Sequence, residues 1–300
     1  MTDQADPLVQ FSNALAARAE AAKNAVVAIR LAHGRHITGT VWGSEIVVAS
    51  EQSLPRTDDF ELVVAGGATV AARIAGRDPS TNIALLRPAQ PIAAPSLSSG
   101  EARTGALALA IGADGTGGAS ARLGLVNLAG AEWHSSRGGL IDRRIVLDLG
   151  LAGREEGGPV FDAAGGCFGM STFGPRGQVI VIPTATLERV VPQLAKDGRI
   201  ARGWLGLALQ AVAVPDALRE TADQSSGMMV MSVVEGGPAA QAGIVAGDII
   251  LSVDGTSTHR LRRVARHFGA DSIGRKAELR LIRGGKVIAV EATIAERQAA

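Results

Sequence analysis

Gly236-Gly237-Pro238-Ala239-Ala240-Gln241-Ala242-Gly243, running on through Ala246-Gly247-Asp248-Ile249-Ile250-Leu251-Ser252-Val253-Asp254-Gly255, decides how the last third of this chain is read. The Ala-rich segment closed by Gly243 predicts a short helix, and 248–253 predicts a strand running into the Asp254-Gly255 turn. Around them, 228–234 reads as a strand and 261–268 as a second helix. The segments 277–283 and 286–293 read as a hairpin about Gly284-Gly285. A small α+β domain is therefore expected over 203–297.

Upstream, the text is different in kind. Short β-rich runs at 26–31, 45–49, 60–64, 106–111 and 144–147 are punctuated by Gly, Asp and Pro about every ten residues, the pattern of antiparallel barrels or sandwiches. An all-β domain is expected over 25–197. It is preceded by a helical segment within 1–24, with a helix at 11–23 capped by Ser12. A second helix, over 184–194, carries apolar Leu187, Val190, Val191 and Leu194 at three- and four-residue spacing and ends before Gly198. The polar stretch 198–202 reads as the linker. A length of 300 residues suits two domains.

The composition narrows the classes. With 46% apolar and 20% charged residues the chain should bury a core, and with 38 Gly and 3% aromatics that core must be mainly aliphatic. A net charge of +1 offers no global attraction to nucleic acid. The single Cys167 excludes an intrachain disulfide and a Cys-based metal cluster, so neither metal nor cofactor is expected. Segment 1–6 lacks a basic region followed by an apolar one, and no stretch is apolar enough to span a membrane. As it stands the sequence predicts a cytoplasmic protein, and a periplasmic one if it is a processed chain.

The segment 236–255 closely resembles bacterial PDZ domains of the HtrA type. That resemblance implies a groove accepting peptides or protein C-termini by addition to a strand edge. It implies that Trp204, Leu205, Gly206 and Leu207 form the carboxylate-receiving loop, and that Leu261, Val264 and Ala265 form the opposing wall. Further upstream the chain resembles HtrA-family serine proteases, which have a chymotrypsin-like double β-barrel before the PDZ domain. Segment 46–54 is similar to the family's histidine-bearing strand and turn. Thr81-Asn82-Ile83-Ala84-Leu85-Leu86 is similar to its Thr-Asp-Leu-Ala-Val-Leu segment, and Ala110-Ile111-Gly112 to a turn of the second barrel. The run 148–159 aligns with the nucleophile segment, which in the family ends Gly-Asn-Ser-Gly-Gly-Pro and here ends Arg154-Glu155-Glu156-Gly157-Gly158-Pro159. The implied fold is mainly β, a double barrel followed by a PDZ domain.

Acyl transfer on such a scaffold needs a hydroxyl, an imidazole and a carboxylate. The resemblance places Glu156 at the nucleophile position, Gln52 (or Glu51, if the turn is shifted by one) at the base position, and Asn82 at the orienting position. It assigns the backbone donors of an oxyanion hole to Arg154 and Glu156. These residues predict a chain that is not an enzyme: a peptide-binding adaptor, chaperone-like holder or regulator. An active serine endopeptidase and a structural subunit are the alternatives. Glu156 is expected either to fold back onto the oxyanion donors or pair with Arg154, or to point into solvent with Glu155. Five histidines, His33, His36, His134, His259 and His267, and Ser50, Ser53 and Ser171 read as structural or solvated. The basic stretch 260–286, with nine Lys/Arg against Asp271 and Glu278, reads as a solvated face that also offers the groove a preference for acidic peptides. The family implies a homo-oligomer, a trimer among the options, or a hetero-oligomer with an active relative.

Overall fold

The computed structural model describes residues 6–260, 264–269 and 272–296. The chain divides into two compact units, Met1–Trp133 with Ile141–Ile200, and His134–Leu140 with Ala201–Ala300.

The first unit opens with α1 (Pro7–Ala22). Its cap is Asp6 rather than Ser12: the Asp6 carboxylate accepts Leu8 N–H at 2.9 Å, and Pro7 takes the first helical position, where no amide hydrogen is missed. Six strands then close a barrel: β1 (Val26–Arg30), β2 (His36–Gly43), β3 (Ile46–Ser50), β4 (Asp59–Val63), β5 (Thr69–Asp78) and β6 (Ile83–Pro88), in the order β1-β2-β3-β6-β5-β4. A second closed barrel follows, from β7 (Leu107–Ala113) and β8 (Ala119–Ala129). After the short pair β9 (Trp133–His134) and β10 (Leu140–Ile141), it is completed by β11 (Ile145–Asp148), β12 (Pro159–Phe161), β13 (Cys167–Phe173) and β14 (Val179–Pro183). Its order is β11-β14-β13-β12-β7-β8. The cores are aliphatic, as the composition requires: Val27, Ile29, Val47, Leu62 and Leu86 fill the first barrel, and Ala108, Val126, Ile145, Val160 and Val181 the second. Helix α2 (Thr184–Asp197) buries Leu187, Val190, Val191 and Leu194 against Ile83, Leu85, Met170 and Ile182, and Gly198 ends it at φ 70°.

The second unit carries β15 (Gly203–Trp204), β16 (Leu207–Ala213), α3 (Arg219–Ala222), β17 (Ser226–Val233), α4 (Pro238–Gln241), β18 (Ile249–Val253), β19 (Thr256–Ser257), β20 (Lys276–Arg283), β21 (Lys286–Thr293) and β22 (Ala295–Glu296). Its main sheet runs β16-β17-β18-β20-β21, so β16 lies on an edge. The predicted helix over 261–268 is only partly within the described residues: 261–263 lie outside them, and Ala265–Phe268 is a 3-10 turn. Among the described residues no helix is long and apolar enough to cross a membrane.

Two glycines seat the turn before β12, Gly157 against the first barrel and Gly158 within the second. Gly157 sits at φ 94°, and a Cβ there would lie 2.2 Å from the Thr38 carbonyl oxygen of β2. A Cβ on Gly158 would lie 1.9 Å from the Ile111 carbonyl of β7, and rigid backbone cannot yield that distance. The substitution Gly158→Ala is expected to destabilise the first unit by about 3 kcal/mol or more, read as a lowered urea midpoint.

Candidate functional site

The segment 152–159 arrives at the barrel junction through a 3-10 turn, Gly153–Glu155, and its sequence explains its path. The Glu155 carboxylate accepts Ala152 N–H at 2.8 Å, and bonds to Arg122 Nε at 3.0 and 3.1 Å and to Ser120 Oγ at 3.0 Å, which pins the turn to β8. Gly112 makes room for the Glu155 stem, since a Cβ there would meet it at 2.7 Å. The ladder between β12 and β13, Pro159 opposite Met170, continues through Gly157 N–H to Ser171 O at 2.9 Å. That register places Glu156 beside Thr172 and Phe173. From the other barrel, β3 pairs with β6, Ser50 opposite Ile83, which brings Asn82 next to Ser50 and the following turn Glu51–Ser53. Asn82 takes φ 60°, a left-handed conformation that asparagine tolerates better than most residues.

These elements converge on one carboxylate. Glu156 Oε1 accepts Ser50 Oγ at 2.8 Å, Gln52 Nε2 at 2.6 Å, Thr172 Oγ1 at 2.7 Å and Phe173 N–H at 3.3 Å. Glu156 Oε2 accepts the Ser53 hydroxyl. Asn82 supports two of these hydroxyls from behind. Its amide nitrogen donates to Ser50 Oγ at 3.0 Å and Thr172 Oγ1 at 2.8 Å, and its carbonyl accepts Gln52 N–H at 2.8 Å. Each hydroxyl accepts from Asn82 and turns its proton to Glu156, because the carboxylate can only accept, although the two hydroxyl oxygens also lie 3.1 Å apart. An amide at 82 and a carboxylate at 156 are thus matched: an ionised aspartate at 82 would compete for the same protons.

Burial pushes the Glu156 carboxyl up, but the hydrogen bonds from Ser53, Thr172, Gln52 and Ser50 outweigh it and hold the group below its ordinary 4.5. The expectation that Glu155 and Glu156 point into solvent is therefore corrected. They are 1% and 5% exposed, because each is met by a full set of donors. Nor does Glu156 turn back to Arg154, which is exposed; its partners lie in β3, the turn after it, and β13. The Glu156 amide, assigned to an oxyanion hole, donates to Gly153 O at 3.3 Å. Of the two candidates in the turn after β3, Gln52 reaches Glu156, whereas Glu51 is buried and meets Arg56 at 2.9 Å. Ser50 and Ser53, read from sequence as merely structural, belong to the cluster, and Thr172 was missed altogether. Nothing local marks Thr172, since only strand register brings it to Glu156. Ser171 instead donates to Gly158 O at 3.1 Å. His36 bonds Ala113 O, His259 bonds Ser257, and His267 faces Thr256 and Asp254. Cys167 is buried, which pushes its thiol up to about 11.

In the second unit, Trp204, Leu205, Gly206, Leu207 and Val264 line one cavity of about 180 Å³, together with Leu209, Ile250, Val253, Thr258, Phe268 and Leu279. Leu261 lies outside the described residues, as do Arg262 and Arg263, and only the backbone of Ala265 is described. Gly206 has φ 78°, and its carbonyl accepts Val234 N–H at 2.9 Å.

Replacing Glu156 by Gln is expected to cost about 2 kcal/mol at neutral pH, because four donors lose the charge of their acceptor and the Ser53 hydroxyl must reverse to accept from the amide. A depressed carboxyl stabilises the fold fully above its unfolded value and loses that contribution as pH falls through the native one. The gap between wild type and Glu156→Gln should therefore hold above pH 4.5 and close below it in pH-resolved urea titrations.

Comparison with known proteins gives these features a family setting. Residues 37–170 match the trypsin-like peptidase domain and residues 213–294 the PDZ domain. A probable periplasmic serine endoprotease, DegP-like, of Brucella suis is 31% identical over 263 residues, covering 83% of this chain and 50% of the relative. One of Pseudomonas putida is 29% identical over 257 residues, covering 83% and 53%. The chain spans about half the length of the curated relatives it matches. The crystal structure of the serine endoprotease from Yersinia pestis superposes with a TM-score of 0.69 at 25% identity, covering 95% of this chain and 98% of that one. The HtrA-type protease AlgW with decapeptide has a TM-score of 0.69 at 23% identity, covering 95% and 99%, a likeness of fold. The expectation that this chain is not an enzyme is overturned by these relatives, which are named serine endoproteases. The cytoplasmic expectation finds no support either, since the curated relatives are named periplasmic. Two barrels of six strands, a sheet with an apolar cavity beside its edge strand, and both domain matches lead to one conclusion: the chain is an HtrA-type trypsin-like protease domain followed by a C-terminal PDZ domain.

Proposed function

We propose that this protein captures polypeptide C-termini through its PDZ domain (203–297), carried after linker 198–202 by the barrel domain (25–197). One observation carries the reading: the apolar cavity opens beside the edge strand β16, next to the loop Trp204-Leu205-Gly206-Leu207. An edge strand offers unpaired amides and carbonyls to an added strand, and the adjoining cavity takes an apolar terminal side chain. Gly206, left-handed and without a Cβ, allows the loop backbone to approach a carboxylate. That an HtrA-type structure of the same fold is described with a decapeptide supports the assignment. An extracytoplasmic setting belongs to the same reading, supported by the periplasmic names of the relatives. A fluorescent peptide with a free apolar C-terminus should bind the intact chain, and amidating that terminus should weaken it about tenfold or more in polarisation titrations. Equal affinity for the two peptides sinks the carboxylate-receiving role.

Endoproteolysis is the second reading, favoured by the activity in the relatives' names. On our reading Gln52, Asn82 and Glu156 stand at the family's triad positions, and Arg154 and Glu156 at its oxyanion positions. Cleavage here would start from another hydroxyl. Ser53 is half-buried and donates directly into the Glu156 carboxylate, the contact a nucleophile and base require. If this pair cleaves peptides, a fluorophosphonate labels Ser53, and Ser53→Ala loses both the label and casein digestion. A wild-type chain that neither labels nor digests removes this reading and leaves peptide capture standing.

A further inference from the structure

We propose that Ser50, Gln52, Ser53, Thr172 and the Phe173 amide form a receptor for a carboxylate, and that Glu156 fills it from within as an intramolecular ligand. Among the described residues every partner of this buried carboxylate is a neutral donor, and the donors come from both barrels. Recognition therefore rests on the number and placement of hydrogen bonds rather than on a counter-charge. The two oxygens are served separately, four donors on Oε1 and Ser53 on Oε2. A carboxylate spans both positions, and a monatomic anion occupies only one. Asn82 lies behind the receptor and holds the Ser50 and Thr172 oxygens in place through bonds that do not involve Glu156. The exposed Gln52 forms one wall, so the site borders solvent.

The atoms of a glutamate side chain beyond Cβ are those of acetate. Glu156→Ala should thus leave a cavity shaped for that ion, and the backbone at 156, with φ −62°, accepts alanine without strain. The experiment is thermal unfolding of full-length Glu156→Ala in potassium acetate against potassium chloride at equal ionic strength. By mass action, acetate at several times its dissociation constant should raise the midpoint by about 2–4 °C over chloride. Pivalate, too bulky for the cavity, should give no rise, and wild type should respond to neither. Adding Thr172→Val to Glu156→Ala removes a donor and should reduce the acetate response several-fold. If Glu156→Ala does not fold in chloride, the same comparison is read as recovery of native circular dichroism on adding acetate. The proposal is overturned if acetate acts no differently from chloride in the readout that applies, or if it stabilises wild type or Glu156→Gln equally.

Discussion

A carboxylate taken out of water between two β-barrels has to be met by donors, and the first unit is organised around that requirement. Among the described residues Glu156 is not paired with a cation; hydroxyls, an amide and a backbone N–H supply its hydrogen bonds, three from the first barrel and its following turn and two from the second. Such an arrangement is costly when incomplete, because each unpaired buried group carries its full desolvation penalty. It also explains why neighbouring residues have the chemistry they do. Asn82 must donate twice where an ionised carboxylate could only accept, and Gly157 and Gly158 must lack side chains so that the turn lies flat against Thr38 and Ile111.

Glu155 and Glu156 divide the work although they are adjacent. Glu155 faces its own barrel, where Arg122, Ser120 and the Ala152 amide fix the turn. Glu156 then emerges toward the other barrel. The PDZ unit uses the same device on a smaller scale: buried Asp248 accepts Arg283 Nη2 at 2.6 Å and the Val245 amide at 2.9 Å, tying the turn before β18 to the end of β20. Burial pushes the Asp248 carboxyl up, but Arg283 and the Val245 amide hold it below its ordinary value.

Much of the architecture was legible from residue order. The five quoted β runs fall on β1, β3, β4, β7 and β11, because a buried barrel strand is a short aliphatic run bounded by turn residues. Strand β8 was overlooked, since Ala119–Ala129 exposes most of its length and shows neither a buried run nor clean alternation. The cap of α1 was misplaced from Asp6 to Ser12 because both residue types cap helices, and only Pro7 after Asp6 marks the true start. At the site, Gln52, Asn82 and Glu156 were singled out together by family likeness, and the structure joins them through direct hydrogen bonds. What was misjudged was the fate of the two glutamates, for burial of a charge depends on donors that lie far away in the chain.

Sequence by itself determined an aliphatic all-β domain and a small α+β domain after it, which family likeness reads as a double barrel and a PDZ unit, and the residue types at 52, 82 and 156, because hydrophobic period, turn residues and local motifs are all properties of neighbours in the chain. Tertiary structure alone decided that Ser50, Ser53 and Thr172 meet at Glu156 and that Asn82 braces two of their hydroxyls. Those contacts join residues 16 to 106 positions apart. They exist only once strand register and the close approach of Gly157 to Thr38 have placed the two barrels against each other.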